Sequence, residues 1–338
     1  MTDTTLDLTQ KSRGPWATAM RRLARDRAAM AALLVFLLVL TACLLAPVYA
    51  AWSGVDPFSS TLDKMITIDG QQVPVMEQST EGLGLGYNPI GPTWKFGNYF
   101  LGADNQGRDV MARLLYGGLS SLLIASSATI LTLVFATLLG LAAGFFGGVT
   151  DAILSRILDV LWAFPVYLLA ISLSIVLIAH GVRIGPITIE SGSLLLPVFI
   201  IGIVYIPYVA RPIRGQVLSL RESEFVLAAV GLGVPSSRIL LRDILPNVST
   251  TLIVFVPLMM ALNMLTESAL SFLSIGVQPP DASWGTIIQD GQGLLYSRPM
   301  VALAPGIAIV VCVLTLNVLG DGLRDALDPR SKIRLGRG

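Results

Sequence analysis

Six stretches of this 338-residue chain are long and apolar enough to cross a bilayer: residues 28–50, 119–146, 158–180, 193–210, 249–275 and 299–320. A helix rises about 1.5 Å per residue, so roughly 20 apolar residues span a hydrocarbon core about 30 Å thick. The expected fold is an all-α integral membrane protein with about six transmembrane helices. Composition agrees, with 54% hydrophobic and 13% charged residues against about 45–50% and about 25% in soluble domains. Arg21, Arg22, Arg25 and Arg27 precede the first stretch and Val48-Tyr49-Ala50 loosely resembles a cleavage site. The apolar run exceeds the roughly 7–15 residues of a signal-peptide core and further spans follow, so an uncleaved first helix is expected.

Orientation follows from the cations. With the N-terminus in the cytoplasm, the inner segments hold six Lys and Arg in residues 1–27, Arg156, five in 211–247 and five in 321–338. The outer segments hold four in 51–117, then Arg183 and Arg298. Both termini are therefore expected inside. This gives a cytoplasmic tail at 1–27, a first span at 28–50, an extracytoplasmic loop at 51–117, a transmembrane core at 118–320 containing a cytoplasmic loop at 219–247, and a second cytoplasmic tail at 321–338.

The chain offers little for catalysis. Cys43 and Cys312 fall in apolar runs without metal or redox spacing, and His180 ends an apolar run with no ligating residue near it. No basic block points to nucleic acid. The 51–117 segment is polar and rich in turn residues, including Gly82, Gly84, Gly86, Pro89, Gly91 and Pro92. Its end reads as a turn, capped by Asp104 or Asn105, then a short interfacial helix with Val110, Leu114 and Leu115 on the membrane surface. Gly140, Gly144 and Gly148 recur at four-residue spacing, which suits close helix packing.

The loop between the fourth and fifth spans carries more information. Ser219 followed by Glu222 fits a capping box, and Phe225, Ala228, Ala229 and Leu232 fall on one helical face. Gly233 can end that helix in the left-handed region, Pro235 can start another, and Pro246 is expected to stop it. A bent pair of short helices with small side chains suits docking in a groove on another protein. It equally suits a loop lying on anionic lipid through Arg221, Arg238 and Arg242.

Residues 227–246 resemble the EAA signature of the permease subunits of ATP-binding-cassette importers. Ala228, Ala229, Gly233, Leu245 and Pro246 match in spacing, whereas Leu227 stands at the Glu position and Asp243 at the Ile position. Glu224 supplies an acidic group one turn earlier. The stretches LGADNQGRDVMARLLYG (101–117), ESALSFLSIGVQPPDASWGTIIQDG (267–291) and LNVLGDGLRDALDPR (316–330) look like the C-type subunit of dipeptide, oligopeptide and nickel permeases.

The resemblance implies half of a pore in a prokaryotic cytoplasmic membrane. Its partners would be a second homologous permease, one or two cytoplasmic ATPase subunits and an extracytoplasmic solute-binding protein, with membrane lipid around the spans. Its solute would be a short peptide or a nickel chelate. ATP and Mg would bind the ATPase, and this chain would hold no cofactor and no metal. The coupling residues implied are Glu224, Phe225, Ala228, Ala229, Leu232, Gly233, Leu245 and Pro246. No Gly-x4-Gly-Lys-Ser/Thr phosphate loop occurs in the sequence.

An ionisable group within a span needs a reason, since insertion scales assign it about 2.5–3.5 kcal/mol. Glu267 is the clearest instance, read either as a pore or subunit contact or as a structural hydrogen bond. Asp159 is expected to meet Arg156, and Asp321, Arg324, Asp325, Asp328 and Arg330 to pair among themselves or with the loop. Residues 51–100 are expected to contact the binding protein. The competing class is an ion- or proton-coupled secondary carrier, which favours internal repeats and midplane charges; no clear repeat is visible.

Overall fold

The computed structural model describes residues 15–68, 70–78, 86–97, 99–184, 187–190 and 192–327. Gly82, Gly84, Asp328, Arg330 and much of both expected tails lie outside them. Helices α1 (Pro15–Arg25), α2 (Arg27–Leu44) and α3 (Ala46–Ser53) open the chain. Two antiparallel pairs follow, β1 (Met65–Ile68) with β2 (Gln71–Pro74) and β3 (Met76–Gln78) with β4 (Tyr87–Pro89), in registers that set Ile66 opposite Val73 and Glu77 opposite Asn88. Then come α4 (Val110–Phe146), α5 (Gly148–Ala163), α6 (Val166–His180) and a short hairpin of β5 (Val182–Ile184) and β6 (Ile187–Ile189). The remaining helices are α7 (Leu195–Val204), α8 (Ile206–Arg221), α9 (Glu224–Gly231), α10 (Ser236–Ile239), α11 (Leu245–Phe272), α12 (Trp284–Gly291) and α13 (Met300–Leu327).

Four helical runs among the described residues are long and apolar enough to cross a membrane: α2, α4, Ser236–Phe272 and α13. Two bent pairs raise this to six if each counts as one span, α5–α6 at 88° and α7–α8 at 43°. The stretch expected as a straight span at 158–180 is broken at Phe164–Pro165. Proline disfavours helical geometry in the residue before it, and Phe164 is extended at φ −91°, ψ 137°. The expected interfacial helix near 110–117 is instead the first two turns of α4, started by Asp109, whose carboxylate accepts from Ala112 N at 2.8 Å. Val110 is fully buried and Leu115 nearly so; Val110 shares a core cluster with Trp284 and Ile287 of α12, which press on α4 at Gly118 and Gly117.

Helix α4 is the centre of the bundle. A Cβ at Gly140 would lie 3.0 Å from the Ala210 carbonyl oxygen, and one at Gly144 would lie 2.9 Å from that of Arg214. The two glycines therefore let the backbones of α4 and α8 meet. Hydrogen bonds cross the interior from Thr132 Oγ1 to Gly202 O (2.8 Å), Asn263 Nδ2 to Thr129 Oγ1 (2.9 Å) and between Tyr205 and Thr266 (2.9 Å). Such bonds average about 0.6 kcal/mol within a bilayer. The 51–109 segment sits over the start of α4. Beneath it Arg108 bonds Asp104 (2.7 Å) and Asp290 (2.8 Å), and Arg113 bonds Asp290 (2.9 Å) and approaches Asp104 (3.3 Å). Two buried cations, the buried Asp104 and the half-buried Asp290 thus form a neutral set, which compensates part of their desolvation.

Two outcomes follow. Gly144→Val should lower the thermal midpoint in detergent by the equivalent of about 1–3 kcal/mol, since the added atoms meet the short, branched Val217 side chain and the Arg214 carbonyl, neither of which can swing away. Burial raises the Asp109 carboxyl from 3.8 to about 6. The folded chain holds this proton more tightly than the unfolded chain, so its stabilising contribution is full below about pH 4 and disappears as pH rises through about 6. Asp109→Asn, whose side-chain oxygen still caps α4, should remove this pH dependence. The difference should be on the order of 3 kcal/mol between pH 4 and 7 in paired thermal melts.

Candidate functional site

The candidate site is the segment 219–247, at the end of the bundle opposite residues 51–109. Its placement follows from the parallel seam of α4 and α8, since Gly144 near the C-terminal end of α4 meets Val217 near the C-terminal end of α8. The expected capping box at Ser219 and Glu222 is absent because α8 continues through Ser219 to Arg221. The next helix starts at Glu224 with Ser223 extended at φ −72°, ψ 148°. An acidic side chain in that first turn faces the partial positive charge of the helix start.

Gly233 takes φ +74°. Its N–H donates to Val230 O (3.0 Å) and the Val234 N–H donates to Ala229 O (3.1 Å), the paired bonds of a Schellman ending. Pro235 then leads into α10. Pro246 does not stop a helix, contrary to the sequence-based expectation. It lies in the first turn of α11, and a π-helical turn at Leu240–Ile244 joins α10 to α11. Proline has no N–H to donate, so a widened turn ahead of it leaves the helix continuous.

Burial separates the implied coupling residues into two sets. Val226, Ile239 and Ile244 anchor the segment to the main core, with Ala229 and Leu245 half-buried against it. Phe225, Leu227, Ala228 and Leu232 are exposed, Leu232 at 84%. The expected stripe of Phe225, Ala228, Ala229 and Leu232 is therefore divided, with Ala229 turned inward and the other three open. Leu227, at the position where the motif has Glu, adds a further exposed apolar side chain. Glu224, Gly233 and Pro246 are exposed as well.

The segment rests on a fixed base. Arg214 of α8 forms a two-pronged ion pair with Asp151 of α5 at 2.5 and 2.6 Å. Asp159 meets Arg211 at 2.8 Å, closer than the expected Arg156 at 3.9 Å. Among the described residues Asp321, Arg324 and Asp325 form no ion pair with one another or with the loop. Arg324 instead lines a cavity of about 470 Å³ between α8, α11 and α13, together with Thr250, Thr251 and Phe255.

Glu267 lies apart from this end. It is fully buried within the chain where α4, α11 and the approach to α12 meet. Its carboxylate accepts from Ser121 Oγ (2.8 Å) and Ser271 Oγ (2.7 Å). Those hydroxyl oxygens in turn accept from Trp284 N (3.1 Å) and Val277 N (3.0 Å). Among the two roles weighed for Glu267, this geometry is that of an internal tie between helices. The cluster of Asp104, Arg108, Arg113 and Asp290 was not singled out from sequence; its trace was the run of charges just before a long apolar stretch. Glu267→Ala should leave two buried hydroxyls without an acceptor and cost about 1–3 kcal/mol for each. A thermal midpoint in detergent lower than that of Glu267→Gln checks this.

Residues 136–333 match the family described as binding-protein-dependent transport system inner membrane component. Residues 14–64 match the N-terminal transmembrane domain of oligopeptide transport permease C. The chain is 40% identical over 234 residues to the dipeptide transport system permease protein DppC of Alkalihalophilus pseudofirmus, covering 69% of this chain and 73% of that one. It is 33% identical over 323 residues to the oligopeptide transport system permease protein OppC of Bacillus subtilis, covering 96% and 92%. It is 32% identical over 320 residues to the glutathione transport system permease protein GsiD of Pectobacterium atrosepticum, covering 95% and 93%. In fold it is similar to a chain of the inward-facing MetNI methionine ABC transporter, with a TM-score of 0.52 at 17% identity over 64% of this chain and 97% of the other. With its apolar helices and these relatives in agreement, this chain belongs to the binding-protein-dependent inner membrane components, as a permease of the peptide family of ABC importers.

Proposed function

We propose that this chain forms half of the pore of an ATP-driven importer for short peptides in a prokaryotic cytoplasmic membrane. A second permease completes the pore, cytoplasmic ATPase subunits bind ATP and Mg, and an extracytoplasmic binding protein delivers the solute. Residues 219–247 and both chain ends face the cytoplasm, and residues 51–109 face outward. The distribution of Lys and Arg supports that orientation. So does the packing of Leu23 and Ala29 against Ala326, which brings both ends of the described chain to one side.

The observation that carries the reading is the segment's combination of a rigid base with an exposed apolar crest. Phe225, Leu227, Val230 and Leu232 are 47%, 58%, 56% and 84% exposed on a helix of eight residues. Surface of this kind is used for contact with another protein. Val226, Ile239 and Ile244 tie the same helix to the core, so displacement of the crest moves α8 and α11 together. ATP-driven closure of the ATPase pair would act on the spans through this lever. The names of the relatives support short peptides, glutathione among them, as the solute class.

Gly233→Val tests the lever. No heavy atom lies within 4 Å of the position a Cβ would take, so the substitution acts through the backbone alone. Left-handed geometry costs a non-glycine residue about 1–2 kcal/mol. In proteoliposomes holding the assembled importer and its binding protein, uptake of labelled di- and tripeptides should fall at least about tenfold, with basal ATP hydrolysis retained. Gly231→Ala, in ordinary helical geometry, should transport normally. Unchanged uptake by Gly233→Val would remove the lever role.

A further inference from the structure

The outer segment carries a set of aromatic side chains that the transport reading does not use. Trp94, Phe96 and Trp52 are 59%, 64% and 65% exposed. They form one contiguous patch. Phe96 stacks on Phe100 at 4.4 Å, Trp94 meets Phe100 edge-on at 5.5 Å, and the ring of Trp52 lies 3.3 Å from where a Cβ of Gly97 would be. Tyr49 continues the patch, 6.2 Å from Trp52. The loop that presents these rings is held in shape. Trp94 has φ +56°, a conformation bulky residues rarely adopt. It is fixed by Trp94 N to Phe100 O (3.2 Å), Thr93 N to Tyr99 O (3.3 Å) and Lys95 N to Thr93 Oγ1 (3.2 Å).

The position of Trp52 identifies what covers this patch. Leu34, Leu38, Thr41, Leu45, Val48 and Trp52 recur at alternating four- and three-residue spacing, and all are exposed. They make a continuous outward stripe along α2 and α3 that ends in the aromatic patch. From Arg27 at the other end to Trp52, α2 and α3, which break at Leu45, together rise at most about 38 Å. That length lies between the roughly 30 Å hydrocarbon core and the 40–45 Å bilayer with its headgroups. Arg27 and Trp52 therefore stand at the two headgroup layers, where Trp and Tyr are enriched. Because the loop packs directly on Trp52, its tip, Trp94 to Phe96, lies at the same depth.

We propose that Trp94, Lys95 and Phe96, with Trp52, form a membrane anchor in the outer-leaflet interface that seats the 51–109 segment on the lipid. The inference rests on the outward placement of that segment and on α2 as a span, not on what the pore carries. The native cysteines at 43 and 312 are buried, so an introduced thiol can be labelled selectively. Phe96→Cys and Lys95→Cys, the second leaving the ring stack intact, are made in the full importer, labelled with bimane and reconstituted in phosphatidylcholine vesicles. Gln72→Cys, on exposed β2, serves as the aqueous reference.

Nitroxide lipids labelled at the headgroup or at acyl carbon 5 should quench the labels at 95 and 96 at least about twofold more than the label at 72. Aqueous iodide should do the reverse. Equal iodide quenching at 72, 95 and 96 would overturn the anchor while peptide uptake, measured on the same vesicles, still tests the importer. Shielding from iodide without lipid quenching would assign the patch to the second permease. Shielding that appears only on adding the binding protein would assign it to that protein. Either result overturns the proposal.

Discussion

The seam between α4 and α8 is the contact on which the rest of the bundle depends. Lipid tails are as apolar as leucine, so burying leucine between helices in a bilayer gains little and close backbone approach gains more. Gly140 and Gly144 provide that approach, each facing a carbonyl of α8 at a distance no side chain could share. Fixing α8 in this way fixes Arg214 against Asp151, and with it the direction in which the chain leaves the bundle at Arg221. The orientation of the segment at 219–247 is thus inherited from a pair of glycines more than seventy residues upstream.

The two ends of the molecule use their polar residues differently. At the end bearing residues 51–109, charges and hydroxyls are turned inward. Asp104, Arg108, Arg113 and Asp290 neutralise one another beneath the surface, and Glu267 gathers Ser121 and Ser271 while those hydroxyls hold the backbone of Trp284 and Val277. This end is cross-tied. At the other end the polar groups of α9 are satisfied by its own Schellman turn, which leaves the apolar crest free to meet a partner.

Much of this was legible in the order of residues. The presence of four to six apolar helices of spanning length followed from the apolar runs, the ending at Gly233 from the absence of a Cβ, and the family from Ala228, Ala229, Gly233, Leu245 and Pro246 together with three longer stretches. Other features were not. Proline marks a break but does not say how large it is, so the 88° turn at Phe164–Pro165 and the uninterrupted passage through Pro246 read alike as punctuation. Ser219 and Glu222 had the spacing of a capping box, yet packing carried α8 past them. The packing of Val110 depended on α12, more than 160 residues away in the chain.

By itself, then, the sequence determined that the chain carries apolar helices of membrane-spanning length and which family it joins, because these rest on local length and spacing. Tertiary structure alone decided which charges are partners. Glu267 is an intramolecular tie because Ser121 and Ser271 arrive from other turns and helices, and Asp290 joins Arg108 and Arg113 because α12 folds back onto the start of α4. It also decided which face of the segment at 219–247 is open. Ala229 and Val226 face the core while Phe225, Leu227 and Leu232 face away, a choice set by how α8 and α11 hold the ends of that segment and not by its own periodicity.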